Sequence, residues 1–305
     1  MNFAPLIKEI GRGAKGAAPL SAHQAHELFG AILDGQVPDL ELGAIILSMR
    51  IKGETPAEVA GFMAALDERT PQLAVPAGPR CVVLPTYNGA RRQPNLMPLL
   101  ALLLAREGIP VLIQGRHDFE SRVSPFDLLA ELGIAPAASL AEAEARLAGQ
   151  HLACLGLEQL VPGLDRLLAL RPRLGVRNSG HTLAKLLNPC RGREVRVVAV
   201  THPEYLERMH AYLVGSGGSA MLLRGTEGEV YANPRRQPRL KGFAAGRAWV
   251  LAEAEEGGAP PLAGLPDSPA IADNAACIRA MLAGSRPIPA PIQTQVKALV
   301  ALARG

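Results

Sequence analysis

Aromatic residues make up only 4% of this 305-residue chain, tryptophan occurs once, and there are four cysteines. The cysteines (Cys81, Cys154, Cys190 and Cys277) stand apart, with no C-x-x-C pair and no His/Cys cluster. That pattern argues against a disulfide framework or a structural zinc and fits a reducing compartment. No run of about 20 apolar residues occurs, so no segment reads as a membrane span. The start, MNFAPLIKEIGRG, lacks the continuous apolar stretch of a secretion signal, and the expected location is cytoplasmic. The G-x-S-x-G, Walker A, H-E-x-x-H and complete G-x-G-x-x-G signatures are missing as well. VGSGGSAM (214–221) lacks the preceding strand that a dinucleotide fingerprint requires. What is present is apolar bulk: 48% hydrophobic residues against 20% charged, which excludes general disorder and allows one large domain or two unequal ones.

Charge is informative once mapped. The net value is only +4, yet residues 166–196 alone carry +7, from Arg166, Arg171, Arg173, Arg177, Lys185, Arg191, Arg193 and Arg196 against Glu194. A second cationic block follows at Arg235, Arg236, Arg239 and Lys241, and a short one at Arg91 and Arg92, while acids gather at 141–145 and 252–256. Such asymmetry suits a polyanionic partner. Solvated faces and contacts to a phosphorylated small substrate suit it too, and both stay open at this point.

The first 75 residues read as helices. In LELGAIILSMR, Leu40, Leu42, Ile45, Ile46 and Met49 give a helix apolar on several sides, with more apolar face than a small unit can bury alone. In KGETPAEVAGFMAALDERT, Thr55 is the N-cap, Pro56 takes the first helical position and Glu58 completes a T-x-x-E capping box. PQLAVPAGP (71–79) reads as a connection to a second unit spanning 80–305. There CVVL, PVLIQ, HLACL, VRVVAV and SAMLLR read as strands separated by helical stretches, which predicts an α/β domain with a mainly parallel sheet. Ligands of such sheets sit beyond the carboxyl ends of the strands, so the loops after Leu84, Gln114 and Leu223 are the places to look.

Those loops carry mixed chemistry. PTYNGARRQPN (85–95) has one glycine where a pyrophosphate cradle needs several, but it offers Arg91, Arg92 and the Tyr87 ring. QGRHDFESRVSPFD (114–127) contains His117 and Asp118, whose adjacency does not make a dyad. RGTEGEVYANPRR (224–236) contains Glu227 and Glu229, which could hold Mg²⁺ through carboxylate oxygens or join a salt-bridge network.

Together KGETPAEVAGFMAAL, LGVRNSGHTLAKLLNP and RGTEGEVYANPRR resemble the anthranilate phosphoribosyltransferase family, whose fold is shared with the pyrimidine nucleoside phosphorylases. The resemblance implies a small N-terminal helical domain (1–75, joined in space by part of 160–190) that dimerises, plus a large α/β domain (80–305) holding the phosphoribosyl cleft. The family's G-T-G-G-D loop falls on Pro85, Thr86, Tyr87, Asn88 and Gly89, keeping only the Thr. Its T-F-N falls on Gln93, Pro94 and Asn95, and its K-H-G-N on Ile113, Gln114, Gly115 and Arg116, without the lysine. The two magnesium-binding acids of its G-L-D-E fall on Val230 and Tyr231, whereas the arginine of its R-x(10)-N-P segment is kept as Arg177, with Asn188 and Pro189. The parent chemistry therefore lacks named parts.

The departures P-T-Y-N-G-A-R-R and R-G-T-E-G-E-x-Y-A-x-P-R-R are similar to a YbiB-type branch of glycosyl transferase-like proteins. That likeness implies a nucleic-acid-binding homodimer, weakly sequence-specific, with DNA and also RNA as candidate partners. The expected phosphate contacts are Arg91, Arg92, Arg171, Arg173, Arg177, Lys185, Arg191, Arg193, Arg235 and Arg236, with Tyr87 and Tyr231 as stacking candidates. No catalytic residue, metal ligand or cofactor is assigned. The alternative is a transferase acting on a ribose-phosphate or nucleoside substrate, with Mg²⁺ on Glu227 or Glu229. A third reading is a scaffold using its helical face for a protein partner.

Overall fold

The computed structural model describes residues 2–116, 122–258, 260–261 and 264–305. The chain divides into two compact units, one formed by Met1–Pro71 with Leu157–Pro189 and the other by Gln72–Gly156 with Cys190–Gly305. Among the described residues no helix is long and apolar enough to cross a membrane.

The larger unit is built on seven strands: β1 (Cys81–Thr86), β2 (Val111–Gly115), β3 (Leu152–Gly156), β4 (Glu194–Val200), β5 (Ala220–Arg224), β6 (Leu240–Ala244) and β7 (Arg247–Ala252). Their order in the sheet is β3-β2-β1-β4-β5-β6-β7, with β1 to β5 all parallel and β6 and β7 antiparallel. The five parallel strands are buried almost throughout, which is why they read as near-continuous apolar runs. Val82, Leu84, Val195 and Val197 pack in one apolar cluster with Leu100 and Leu104 of helix Met97–Arg106 and with Ile292 and Leu299 of helix Ala290–Arg304. Chain order reverses between β1 and β4, and the loops that follow β1 and β5 lie at this carboxyl-terminal edge.

The β6–β7 hairpin departs from the strand–helix alternation. Its turn is Ala245-Gly246, with φ of 49° and 74°, the two left-handed residues that a tight hairpin turn needs. The pairing signal for such turns is Asn-Gly or Asp-Gly, and an Ala at the first position hides it.

In the helical unit, helix Ala22–Leu33 packs on helix Pro56–Glu68, where the tilted rings of Phe29 and Phe62 have centroids 5.0 Å apart. Gly61 permits the close approach, since a Cβ there would lie 2.2 Å from the Ala22 carbonyl oxygen. Both helices begin with a capping box, Ser21 with Gln24 and Thr55 with Glu58. Helix Asp39–Lys52 buries Ile45, Ile46 and Met49 and half-buries Leu42 inside its own unit. The apolar residues it leaves outward are Leu40, Leu47 and Ile51, so the surplus apolar face lies there and not on the set around Ile45.

The K-G-E-T-P segment has a compact physical purpose. Glu58 is fully buried, and its carboxylate accepts hydrogen bonds from the Leu20 N–H (2.9 Å), the Thr55 N–H (2.8 Å), the Thr55 hydroxyl (3.0 Å) and the Lys52 ammonium (2.6 Å). One charge thus joins the start of one helix, the end of a second and the cap of a third. Burial by itself raises the Glu58 pKa. The bonds from Lys52, Thr55 and Leu20 outweigh it and hold the carboxyl below its ordinary value of 4.5.

Removing one partner of a buried pair leaves the other uncompensated, so Glu58→Ala is expected to cost about 3–5 kcal/mol in chemical denaturation. The folded pKa is depressed, so the Glu58 contribution is complete above the unfolded value near 4.5 and is lost as pH falls through the folded value. Acid titration of the wild type and of Glu58→Ala checks the sign, because the variant should show the weaker acid sensitivity below pH 4.5.

Candidate functional site

Backbone N–H groups at the carboxyl end of a parallel strand, turning into a helix, want an anion. In the loop after β1 that anion comes from the chain itself. Glu229 is fully buried, and its Oε1 accepts hydrogen bonds from the Asn88 N–H (3.0 Å) and the Gly89 N–H (2.9 Å). Glu227 accepts from the Arg91 N–H (3.2 Å) and the Arg92 N–H (3.0 Å). Both acids are presented by a tight turn in which the Glu229 N–H bonds the Thr226 carbonyl (2.9 Å).

The centre of that turn is Glu227-Gly228, with φ of 53° and 93°. A non-glycine residue in this region is strained by about 1–2 kcal/mol, and the two charge-assisted bonds at Glu227 offset that cost. Gly228 lies so close to Asn88 that a Cβ would meet its amide at 2.7 Å, and the Asn88 amide in turn donates to the Gly228 carbonyl (3.0 Å). The acids expected as possible magnesium ligands are therefore committed to main-chain amides. Among the described residues no three His, Cys, Asp or Glu side chains gather as a metal site.

The stacking candidates are both buried. Tyr231 is fully buried and donates its hydroxyl to the Pro94 carbonyl (3.1 Å); burial, with the Glu229 and Glu227 charges, pushes its pKa well above the usual value. Tyr87 is 4% exposed and its hydroxyl bonds the Gln114 side chain. Neither ring offers a face to a base in this arrangement, because both are packed under the loops they anchor. Val230, at the other metal-acid position by resemblance, is likewise in the apolar cluster.

The expected phosphate contacts separate into two sets. In the larger unit, Arg91, Arg92 and Arg235 are exposed and Arg236 is half-buried, and their guanidinium groups form no ion pair among the described residues. Arg92 and Arg235 line one small cleft of about 250 Å³, and Gln93 lines both this cleft and the larger cavity that contains Arg236. Arg193 is engaged otherwise, donating to the Pro76 (3.0 Å) and Gly78 (2.8 Å) carbonyls and so tying down the connecting segment. Arg191 is exposed, and its N–H bonds Gln72 (3.0 Å).

The other four belong to the helical unit. Arg171 and Arg173 are exposed, with Arg173 3.7 Å from Asp39, while Arg177 and Lys185 are half-buried around His181. Burial first, and then the charges of Arg177, Arg171 and Lys185, push the His181 pKa down to about 4. His117 and Asp118 lie outside the described residues.

These features fall within a known class. Residues 4–70 match the family described as "Glycosyl transferase family, helical bundle domain". The structure is similar to anthranilate phosphoribosyltransferase (TrpD) from Thermus thermophilus, with TM-score 0.74 at 23% identity over 97% of this chain and 87% of that one. The Saccharomyces cerevisiae enzyme in complex with PRPP and Mg gives TM-score 0.75 at 15% identity over 99% and 89%. The fold is thus that of the anthranilate phosphoribosyltransferases.

Sequence likeness narrows the class. Anthranilate phosphoribosyltransferase of Gluconobacter oxydans (strain 621H) is 31% identical over 193 residues, 63% of this chain and 52% of that protein. Protein YbiB of Escherichia coli (strain K12) is 41% identical over 298 residues, 97% of this chain and 92% of that protein. The chain belongs to the YbiB family of phosphoribosyltransferase-like proteins.

Glu229→Ala strands two buried N–H groups and should cost about 3–5 kcal/mol, whereas Glu229→Gln keeps one acceptor oxygen and should cost about 1–2 kcal/mol. Urea unfolding of the two variants measures the difference. Costs below about 1 kcal/mol in both variants would mean that the loop amides do not depend on this side chain.

Proposed function

We propose that this protein binds nucleic acid through distributed phosphate contacts, as a homodimer, with little dependence on base sequence. The observation that carries the reading is the exchange at the loop after β1. Its amides are filled by Glu227 and Glu229, while the guanidinium groups of Arg91, Arg92, Arg235 and Arg236 are left without ion pairs among the described residues. A compact pyrophosphate needs a cradle of free amides, but a polyanion needs several separate cations.

The fold accommodates a transferase for a ribose-phosphate or nucleoside substrate equally well. Against that reading stands the donor chemistry, since magnesium does not fit a loop whose two carboxylates accept from main-chain N–H groups and whose neighbours are Val230 and Tyr231. DNA is the first partner to test and RNA the second. Each phosphate neutralised contributes about −0.9 to the slope of log K against log salt for duplex DNA and about −0.7 for single strands. Replacing Arg91 and Arg92 together with Gln should weaken every oligonucleotide alike and reduce the slope by roughly one unit per lost contact. Fluorescence titrations at several salt concentrations measure both. Millimolar wild-type affinity at low salt, or an unchanged slope in the variant, would turn the assignment to the transferase.

The dimer is proposed through helix Asp39–Lys52. Leu40, Leu47 and Ile51 are 83%, 44% and 65% exposed and lie on one face of the helix. Its first turn carries Asp39 and Glu41 and its last turn Arg50 and Lys52. A second copy laid antiparallel across a two-fold axis covers the apolar stripe and sets the acidic first turn of each copy beside the basic last turn of the other. Changing Leu47 and Ile51 together to Glu should give a monomer in sedimentation velocity at micromolar concentration with the thermal transition retained. A wild-type monomer under the same conditions would remove the proposal.

A further inference from the structure

The loops of the larger unit enclose a second feature, a cavity that shares Arg236 with the proposed phosphate contacts and is otherwise lined by other residues. This cavity of about 800 Å³ lies beyond the carboxyl ends of β4 and β5, between Thr201, Arg224, the Leu206–His210 face of helix Pro203–Ser216 and the start of β6. That volume falls in the usual range for small-molecule sites, and the end of a parallel sheet is where such sites form.

Its chemistry is two-sided. The apolar side is Leu206, Leu222, Pro238 and Ala254. The polar side carries Arg224, Arg236 and Lys241, whose side chains form no ion pair among the described residues. Two of the three acids in the lining are occupied elsewhere: Glu227 holds the Arg91 and Arg92 amides, and Glu255 accepts from the Gln237 N–H (3.0 Å). The third, Glu207, is exposed at the cavity and is outnumbered by Arg224, Arg236 and Lys241. Arg239 is already paired with Glu253 at 2.9 Å. His210 is set edge-on against Phe243 with ring centroids 5.2 Å apart, and its Nδ1 is buried with no hydrogen-bond partner among the described residues. An excess of cations over acids and an apolar wall within one concavity recognise a monoanionic or dianionic head joined to a compact flat body.

We propose that this cavity is a separate site for a free phosphorylated small molecule of the nucleoside monophosphate class. The phosphate is held by Arg224, Arg236 and Lys241, and the base lies against Leu206 and Leu222. This inference does not depend on polymer binding; Arg236 serves both readings, and the two are separated through Arg224 and Lys241, which are not among the proposed polymer contacts.

The test is calorimetric titration of the full chain with AMP, adenosine and inorganic phosphate, using AMP as the probe. AMP should bind once per chain, and adenosine and phosphate should each bind at least about tenfold more weakly, because each keeps only half of the recognition. Arg224→Gln with Lys241→Gln should weaken AMP at least about tenfold with an unchanged thermal transition and unchanged oligonucleotide salt slope. Arg91→Gln with Arg92→Gln should do the reverse. Absence of heat with AMP at millimolar concentration overturns the proposal, as does AMP binding that survives Arg224→Gln with Lys241→Gln. Loss of oligonucleotide affinity in that same variant also overturns it, since the cavity would then belong to the polymer path. AMP binding without oligonucleotide binding supports this site and removes the nucleic-acid reading instead.

Discussion

A strand that ends at the top of a parallel sheet exposes main-chain N–H groups whose demand for negative charge must be met by something. Here Glu229 and Glu227 meet it for residues 88, 89, 91 and 92. Most other features of the site follow. Tyr231 and Tyr87 pack beneath the joined loops, Gly228 is required by the closeness of Asn88, and the arginines are left to face outward. An internal carboxylate is always at the site in effect, whereas a phosphate ligand has to pay the entropy of binding, so a diffusible anion competes poorly for these amides.

The same device recurs in the helical unit. Glu58 gathers the N–H groups of Leu20 and Thr55 with the Lys52 ammonium in a site closed to water. In both units a carboxylate serves as a cross-link between segments distant in sequence, which a neutral side chain with one acceptor cannot copy. The two differ in the partners described: Glu58 takes the Lys52 ammonium, whereas Glu229 takes the N–H groups of Asn88 and Gly89.

Much of the architecture was legible because each local signal agreed with the global one. The capping box at Thr55 and Glu58 is present, and the apolar runs from Cys81, Val111, Leu152, Val195 and Ala220 are all parallel strands. The hairpin of β6 and β7 was not legible, since Ala245 occupies a left-handed position that side chains of its type seldom take. At the site, sequence identified the cations but not what each one does. Charge counting treats Arg193 and Arg91 alike, although one guanidinium is tied to two carbonyls and the other forms no ion pair among the described residues. It also reads Glu227 and Glu229 as side chains seeking a cation, when their partners are main-chain amides that carry no sequence signature. The only hint was the Glu-Gly pair, which marks a left-handed turn able to aim two acids the same way.

One property of the loop after β1 bears on how its surface can change. Glu227 holds residues 91 and 92 by their N–H groups, and every amino acid other than proline has one. The path of the backbone is thus independent of what those two positions display. Arginine, lysine, serine or an acid could stand there on the same scaffold, and the electrostatic character of this rim could be rewritten without renegotiating the fold. The loop behaves as a mount with interchangeable fittings, and a surface of this kind can drift from one class of ligand to another by single substitutions.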